Sequence, residues 1–487
     1  MNEQIINLQP APVFTYFKEI LNIPRPSKKE DKIIAYLLDF GKKHNLETIR
    51  DTVGNVLIRK PATPGMENRK PVVLQSHVDM VCEKNSDKIH DFENDPIEAV
   101  IKDGWVFANG TTLGADDGIG VAAQLAILAS NNIEHGPVEC LFTIDEETGL
   151  TGAFGLQPGF LNGEILLNLD SEDEGQLYIG CAGGQDTLAW LPFEKTDIPE
   201  GYTAFKIMVS GLKGGHSGDD INKGRGNANK ILNRFLWTNR DDLKIKLHDF
   251  NGGNLRNAIA REAFAIVMIP SEKGEELQKK AEDFKKTIRA EYHATEPGLE
   301  FGVEETDKPD FVVDDDSVFK LFNALYACPH GVIAMSQDIE DFVETSTNLA
   351  SVKFEDHEIL VTTSQRSSVE SEKEDVVNMV ASVFNLVGAR IEQSDGYPGW
   401  TPNPDSQIVT ITEQSYKKLF HKDPEVLAIH AGLECGLIGD KYPGMDMVSF
   451  GPTIKGAHSP DEGIEIESVQ KFWDLTLDVL KNIPEKE

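Results

Sequence analysis

Cationic side chains are scarce beside anionic ones: 47 Lys+Arg stand against 81 Asp+Glu, a formal net charge of −34. A field of that sign repels phosphate backbones and anionic lipid surfaces, so neither nucleic acid nor a membrane is an expected partner. The same carboxylate excess attracts cations, either metal ions or a substrate with a free amine. Cysteine is sparse as well. Cys82, Cys140, Cys181, Cys328 and Cys435 are odd in number and never form a C-x-x-C pair, which argues against a disulfide framework and against a thiolate zinc site. No apolar run reaches membrane-spanning length, and the opening MNEQIINLQP lacks the basic start and apolar core of a secretory signal, so a cytoplasmic protein is expected.

What is present suits a soluble globular protein: 40% hydrophobic and 26% charged residues. A chain of 487 residues exceeds a single core, and length alone suggests about two or three domains. Val13, Phe14, Phe17, Ile20 and Leu21 recur at helical spacing over 12–22, and Ser27 and Glu30 have the spacing of a capping box before a second helix. Short β-rich runs then alternate with a helix near 119–130, which predicts βαβ units and a mostly parallel sheet, hence an α/β domain at 1–183. Residues 184–397 read as an inserted α+β domain made of two βαβ-like halves, and the Pro- and Gly-rich YPGWTPNP leads back to α/β texture over 398–487.

Chemistry gathers where the predicted strands stop. His77 and Asp79 follow one run, Glu146 and Glu147 another, Asp170 a third and His458 a fourth, while Asp116 and Asp117 occupy a glycine-flanked turn before a helix. Each alone has a plain explanation: a helix cap, a rim histidine, solvated carboxylates. The carboxyl ends of parallel strands form one crevice, however, and carboxylates crowded there repel one another unless cations neutralise them. Two histidines with several carboxylates suit zinc, with manganese or cobalt as alternatives, and the number of carboxylates suggests a pair of ions. Asp79, two residues after His77 on an extended segment, is positioned to orient its imidazole, and one of Glu146 and Glu147 is free to act as general base.

Taken together, SHVDM (76–80), GADDGIG (114–120), DEETG (145–149), NLDSE (168–172) and GAHSPDE (456–462) resemble the dinuclear zinc peptidases that include the aminoacylases and peptidase T. The likeness extends through KPATPGMENRKP, GLKGGHSG, NGGNLRNAI and HAGLECG. It implies a catalytic domain interrupted by a lid domain that also dimerises, and a dipeptidase acting on unblocked dipeptides, Xaa-His included. His77, Asp116 and Asp170 would hold one zinc ion and Asp116, Glu147 and His458 the other, with a bridging water and Glu146 as general base. His216 would stabilise the oxyanion, Asn257 and Arg366 would bind the substrate carboxylate, the backbone of Gly432 would approach the substrate, and Glu434 would meet its amine. Asp117 stands where relatives often carry Asn, and Ala260 where they carry Pro. The rival readings are a tripeptidase, a carboxypeptidase or an N-acyl amino acid hydrolase on the same metals, or an inactive binding protein on this scaffold.

Overall fold

The computed structural model describes residues 2–486, and the chain divides into two compact units. The first comprises the chain up to Gly180, Pro402–Ala428 and the chain from Leu433 onward. Its main sheet has eight strands, in the order Glu47–Arg50, Val56–Lys60, Val138–Thr143, Val72–His77, Ile165–Asn168, Asp446–Ser449, Gln176–Cys181 and Glu425–Ile429. The middle four run parallel. The flanking pairings that involve Glu47–Arg50, Val56–Lys60 and Gln176–Cys181 are antiparallel, so the sheet is mixed, with its parallel part confined to the centre. Every residue of Val138–Thr143, Val72–His77 and Ile165–Asn168 is buried, as expected where helices cover both faces of a sheet.

Helix Ala11–Leu21 buries Val13, Phe14, Phe17, Ile20 and Leu21, the stripe visible in the sequence. Helix Ala115–Ala129 is buried from Ala115 through Leu128, because small and apolar residues occupy every side of it. Asp116 and Asp117 depart from helical backbone angles at its start, and Asp117 Oδ1 accepts the Gly120 N–H at 3.1 Å, the arrangement of an N-cap. The capping box expected from Ser27 and Glu30 does not form. Helix Asp31–Lys43 begins only after Glu30, the Ser27 hydroxyl donates to Asp79 at 2.7 Å, and Glu30 accepts the N–H groups of Lys28 and Asp145.

The second unit comprises Cys181–Thr401 and Ile429–Gly432. Its nine-stranded sheet is antiparallel at every strand pair, and the expected βαβ-like halves take a split form. Helix Ala228–Leu243 leads from strand Tyr202–Ser210 to Lys246–Gly252, and helix Glu370–Leu386 from Glu358–Ser367 to Arg390–Gln393, each pair running the same way with one antiparallel strand between. Neighbouring strands such as Val343–Phe354 and Glu358–Ser367 are joined by a hairpin, whereas the helical crossovers skip one strand. Helices Ala228–Leu243, Gly274–Glu291, Asp315–Ala327 and Glu370–Leu386 contribute Phe235, Leu277, Phe322 and Phe384 to one core with the sheet. Residues 429–432, expected with the α/β domain, belong here because the Ala182 N–H bonds to the carbonyls of Ile429 and Ala431 and the His430 ring meets the Ser346 hydroxyl at 2.7 Å.

Candidate metal centre

Three of the four central parallel strands deliver potential ligands at or just beyond their carboxyl ends. His77 is the last residue of Val72–His77, Asp170 lies two residues after Ile165–Asn168, and Glu146 and Glu147 follow Val138–Thr143. These ends share one edge of the sheet, and the buried start of helix Ala115–Ala129 brings Asp116 to it.

Asp116 faces both ways. Its Oδ1 is 3.1 Å from His77 Nε2 and its Oδ2 is 3.3 Å from His458 Nε2. His77 Nε2 is also 3.3 Å from Asp170 Oδ1, and His458 Nε2 is 3.0 Å from Glu147 Oε2. Two ligand groups result, His77–Asp116–Asp170 and Asp116–Glu147–His458, sharing one carboxylate. Donors about 2.0–2.2 Å from a tetrahedral zinc ion lie roughly 3.3–3.6 Å from one another, close to the spacing found here.

The electrostatics point the same way. Burial disfavours a charged His77 imidazole, yet Asp170, Asp116 and Asp79 hold it well above its usual pKa. Hydrogen bonds to Asp116 and Glu147 push His458 up to about 11. Burial pushes Asp170 up to about 7, and burial together with Asp116 and Asp170 pushes Glu172 up to about 8. For Asp116, its bonds to His458 and His77 outweigh burial and lower its pKa. Protons on this constellation stand in for missing positive charge. Asp170 Oδ1 and Glu147 Oε1 are moreover buried without a hydrogen-bond partner, a need that a bound cation meets. The residues therefore fit divalent metal.

Glu146 belongs to a further ligand-distance group with His77 and Glu147, and burial raises its carboxyl well above the usual range. Asp79 Oδ1 stands 3.4 Å from His77 Nδ1, an ion-pair distance. The same carboxylate accepts the N–H groups of Glu146 at 3.0 Å and Glu147 at 3.2 Å, so it also anchors the short helix that carries both glutamates. Glu434, expected at a substrate amine, is only 1% exposed. It accepts from Gln75 and Thr143 at 2.6 Å each, and Gln75 accepts in turn from Asn168 at 2.6 Å, which makes Glu434 a tie between the strands beneath the ligands.

In the second unit, a backbone bridge between His216 and Ala258 and the Ser217 N–H bond to the Asn257 carbonyl bring the His216 and Asn257 loops together. Arg366 donates to Ser217 Oγ at 3.4 Å and to the Tyr397 hydroxyl at 2.9 Å, and the Tyr397 ring also lies beside Gly432. His216, Asn257, Arg366 and Gly432 thus form one neighbourhood of that unit. In the sequence Tyr397 belongs to the YPGWTPNP linker, where no local pattern marks a tyrosine as the partner of an arginine 31 residues away. Arg25 and Glu462, both buried against the Asp116 turn, also lack a strand-end position that would single them out.

The chain belongs to peptidase family M20/M25/M40, whose profile matches residues 73–482, a span that contains all five candidate ligands. Among individual relatives, it is 46% identical over 486 residues, 99% of this chain and 100% of the other, to the cytosol non-specific dipeptidase of Escherichia coli. The crystal structure of aminoacylhistidine dipeptidase from Vibrio alginolyticus superimposes with a TM-score of 0.93 at 47% identity, covering 99% of both chains. Aminopeptidase PepT from Bacillus cereus, at 16% identity over 98% of this chain and 99% of the other, shares the fold with a TM-score of 0.58.

Proposed function

We propose that this protein is a cytosolic dinuclear zinc dipeptidase that hydrolyses unblocked dipeptides, aminoacyl-histidines among them. The observation that carries this reading is the two-sided Asp116 carboxylate between His77 and His458, in a chain similar end to end to a non-specific dipeptidase. The name of that relative supports the cytosolic assignment. His77, Asp116 and Asp170 would hold one ion and Asp116, Glu147 and His458 the other. Divalent ions bound there supply Lewis acidity toward the scissile carbonyl and lower the pKa of an attacking water.

The protein groups do the rest. Glu146 takes the proton of the attacking water on a carboxylate oxygen and passes it to the departing amine, a task suited to a carboxyl whose pKa burial has raised. Asp79 keeps the His77 imidazole oriented and fixes the turn that presents Glu146. His216 stabilises charge on the carbonyl oxygen, and Asn257 and Arg366 receive the terminal carboxylate, for which the guanidinium fork is shaped. The Gly432 backbone lies along the substrate. Trp237, Phe319 and Tyr326 are exposed on adjacent helices of the second unit and support a homodimer formed through it.

A panel of dipeptides, tripeptides, carboxypeptidase substrates and N-acyl amino acids, assayed with zinc and ranked by kcat/KM, tests the assignment. Dipeptides should lead. A preference for tripeptides or N-acyl amino acids would shift the activity to another member of the family, and hydrolysis of none would revive a binding role. Metal analysis of protein purified without chelator should give about two ions per chain.

A further inference from the structure

Two buried ionic side chains with no ligand role grip the Asp116 turn. Glu462, 2% exposed, accepts the backbone N–H groups of Leu113 at 2.7 Å, Gly114 at 3.0 Å, Ala115 at 2.7 Å and Asp116 at 3.4 Å. Arg25, also 2% exposed, donates to the carbonyls of Val78 at 3.0 Å, Asp79 at 2.7 Å and Gly114. A single peptide unit lies between the two charges: the Gly114 carbonyl takes the Arg25 guanidinium, and the adjoining Ala115 N–H goes to Glu462. Gly114 has a φ of 68°, and a Cβ there would stand 2.5 Å from Arg25 Nη2, so the turn accepts no side chain at that point.

The geometry has a second aspect. The Val78 and Asp79 carbonyls directly follow His77, while Glu462 lies four residues beyond His458 in the same GAHSPDE segment. Arg25 therefore ties the His77 strand end to the Asp116 turn, and Glu462 ties that turn to the His458 segment. Buried charges cost stability unless their hydrogen-bonding capacity is filled, and here backbone groups fill it.

We propose that Arg25 and Glu462 are positioning residues that set the spacing of the two metal ions, Arg25 by registering Asp116 against His77 and Glu462 by registering it against His458. The proposal rests on the two-ion reading above. Gln in place of Glu462 turns an amide NH2 toward N–H donors, and Lys in place of Arg25 offers a point charge that cannot span three carbonyls.

The test titrates chelator-stripped protein with Mn2+ against a chromophoric chelator and records the exchange coupling of the loaded pair by electron paramagnetic resonance. Glu462→Gln is expected to weaken the Asp116–Glu147–His458 site, and Arg25→Lys the His77–Asp116–Asp170 site, by about 10- to 100-fold each, with altered coupling. In both, kcat should fall while KM changes little, and Glu462→Asp, which keeps the charge, should recover part of the affinity. Binding of both ions within about twofold of the parent, with unchanged coupling, would overturn the proposal. Should none of these variants fold, as read by circular dichroism of the stripped protein, the clamp serves the fold and not the site, and the proposal is equally overturned. A parent protein that binds no coupled pair would count instead against the two-ion reading itself.

Discussion

Asp79 accepts the backbone N–H of Glu146 at 3.0 Å, so the carboxylate that faces His77 also holds the start of the turn bearing the proposed base. The proposed metal ligand His77 and the proposed base Glu146 thus share one contact, the Asp79 carboxylate.

That double role makes Asp79 a sensitive position. In Asp79→Asn one acceptor oxygen remains, but the NH2 must face either the Glu146 N–H and the imidazole or the Glu147 N–H and the Ser27 hydroxyl. Metal affinity should drop by about 10- to 100-fold, and kcat should remain low even at saturating metal, because Glu146 is displaced as well. Full recovery of kcat with added zinc would show that Asp79 acts on the metal alone.

Glu146 itself separates chemistry from binding. Glu146→Ala should lower kcat by about 10²- to 10⁴-fold while metal analysis still finds the ions, since the ligand groups around Asp116 remain intact. An unchanged kcat would remove Glu146 from the mechanism.

The metal-free protein should lose stability as pH rises. His77 and His458 have folded pKa values raised above 6.5, and Asp170 is raised from 3.8 to about 7, so each contributes stability that is complete below its unfolded value and lost as pH climbs through the folded one. For Asp170 that window runs from 3.8 to about 7, and for His458 from 6.5 to about 11. Asp116, with a lowered pKa, works the other way, but its loss falls at acid pH below 3.8. Differential scanning fluorimetry with chelator should thus show Tm falling from mildly acidic to alkaline pH. The Tm gain on adding zinc should widen over the same range, because ligands bind metal in their deprotonated forms. A zinc-induced gain that is flat with pH would contradict this account.

Arg366 and Tyr397 offer a test of substrate recognition. Arg366→Ala should raise KM for dipeptides with a free carboxylate and hardly affect their C-terminal amides. Tyr397→Phe, which removes the 2.9 Å hydrogen bond to Arg366, should produce a smaller effect in the same direction, on the order of 1 kcal/mol. Equal losses on acids and amides would detach Arg366 from the carboxylate.

The legible parts of this molecule were those written in local pattern. Short runs rich in apolar residues, such as VVLQSH, VECLFT and ILLN, mark strands buried on both faces, and the His and acidic residues at or after their ends mark the edge where the candidate ligands gather. Longer-range pairing left no such trace. Ser27 has the spacing of a cap but bonds to Asp79, 52 residues on, and Arg25 reaches Gly114 across 89 residues. The second unit's strands and helices were readable one by one, whereas their antiparallel order depends on which hairpins form, and alternation alone does not encode that. Glu434 was legible as an acidic residue in a glycine-rich loop, but its burial against Gln75 and Thr143 depends on strands more than 290 residues earlier.

The short excursion at 429–432 bears on how such a protein can be divided. The backbone passes between the two units at 180/181, 401/402, 428/429 and 432/433. Joining Gly180 directly to Pro402 would look like a clean excision of the inserted unit, yet it would strip Ile429 and Ala431 of the Ala182 N–H and His430 of Ser346. What reads in the sequence as a cassette is therefore stitched in twice, and any transplant of one unit into another protein must carry a four-residue fragment borrowed from the far end of the chain.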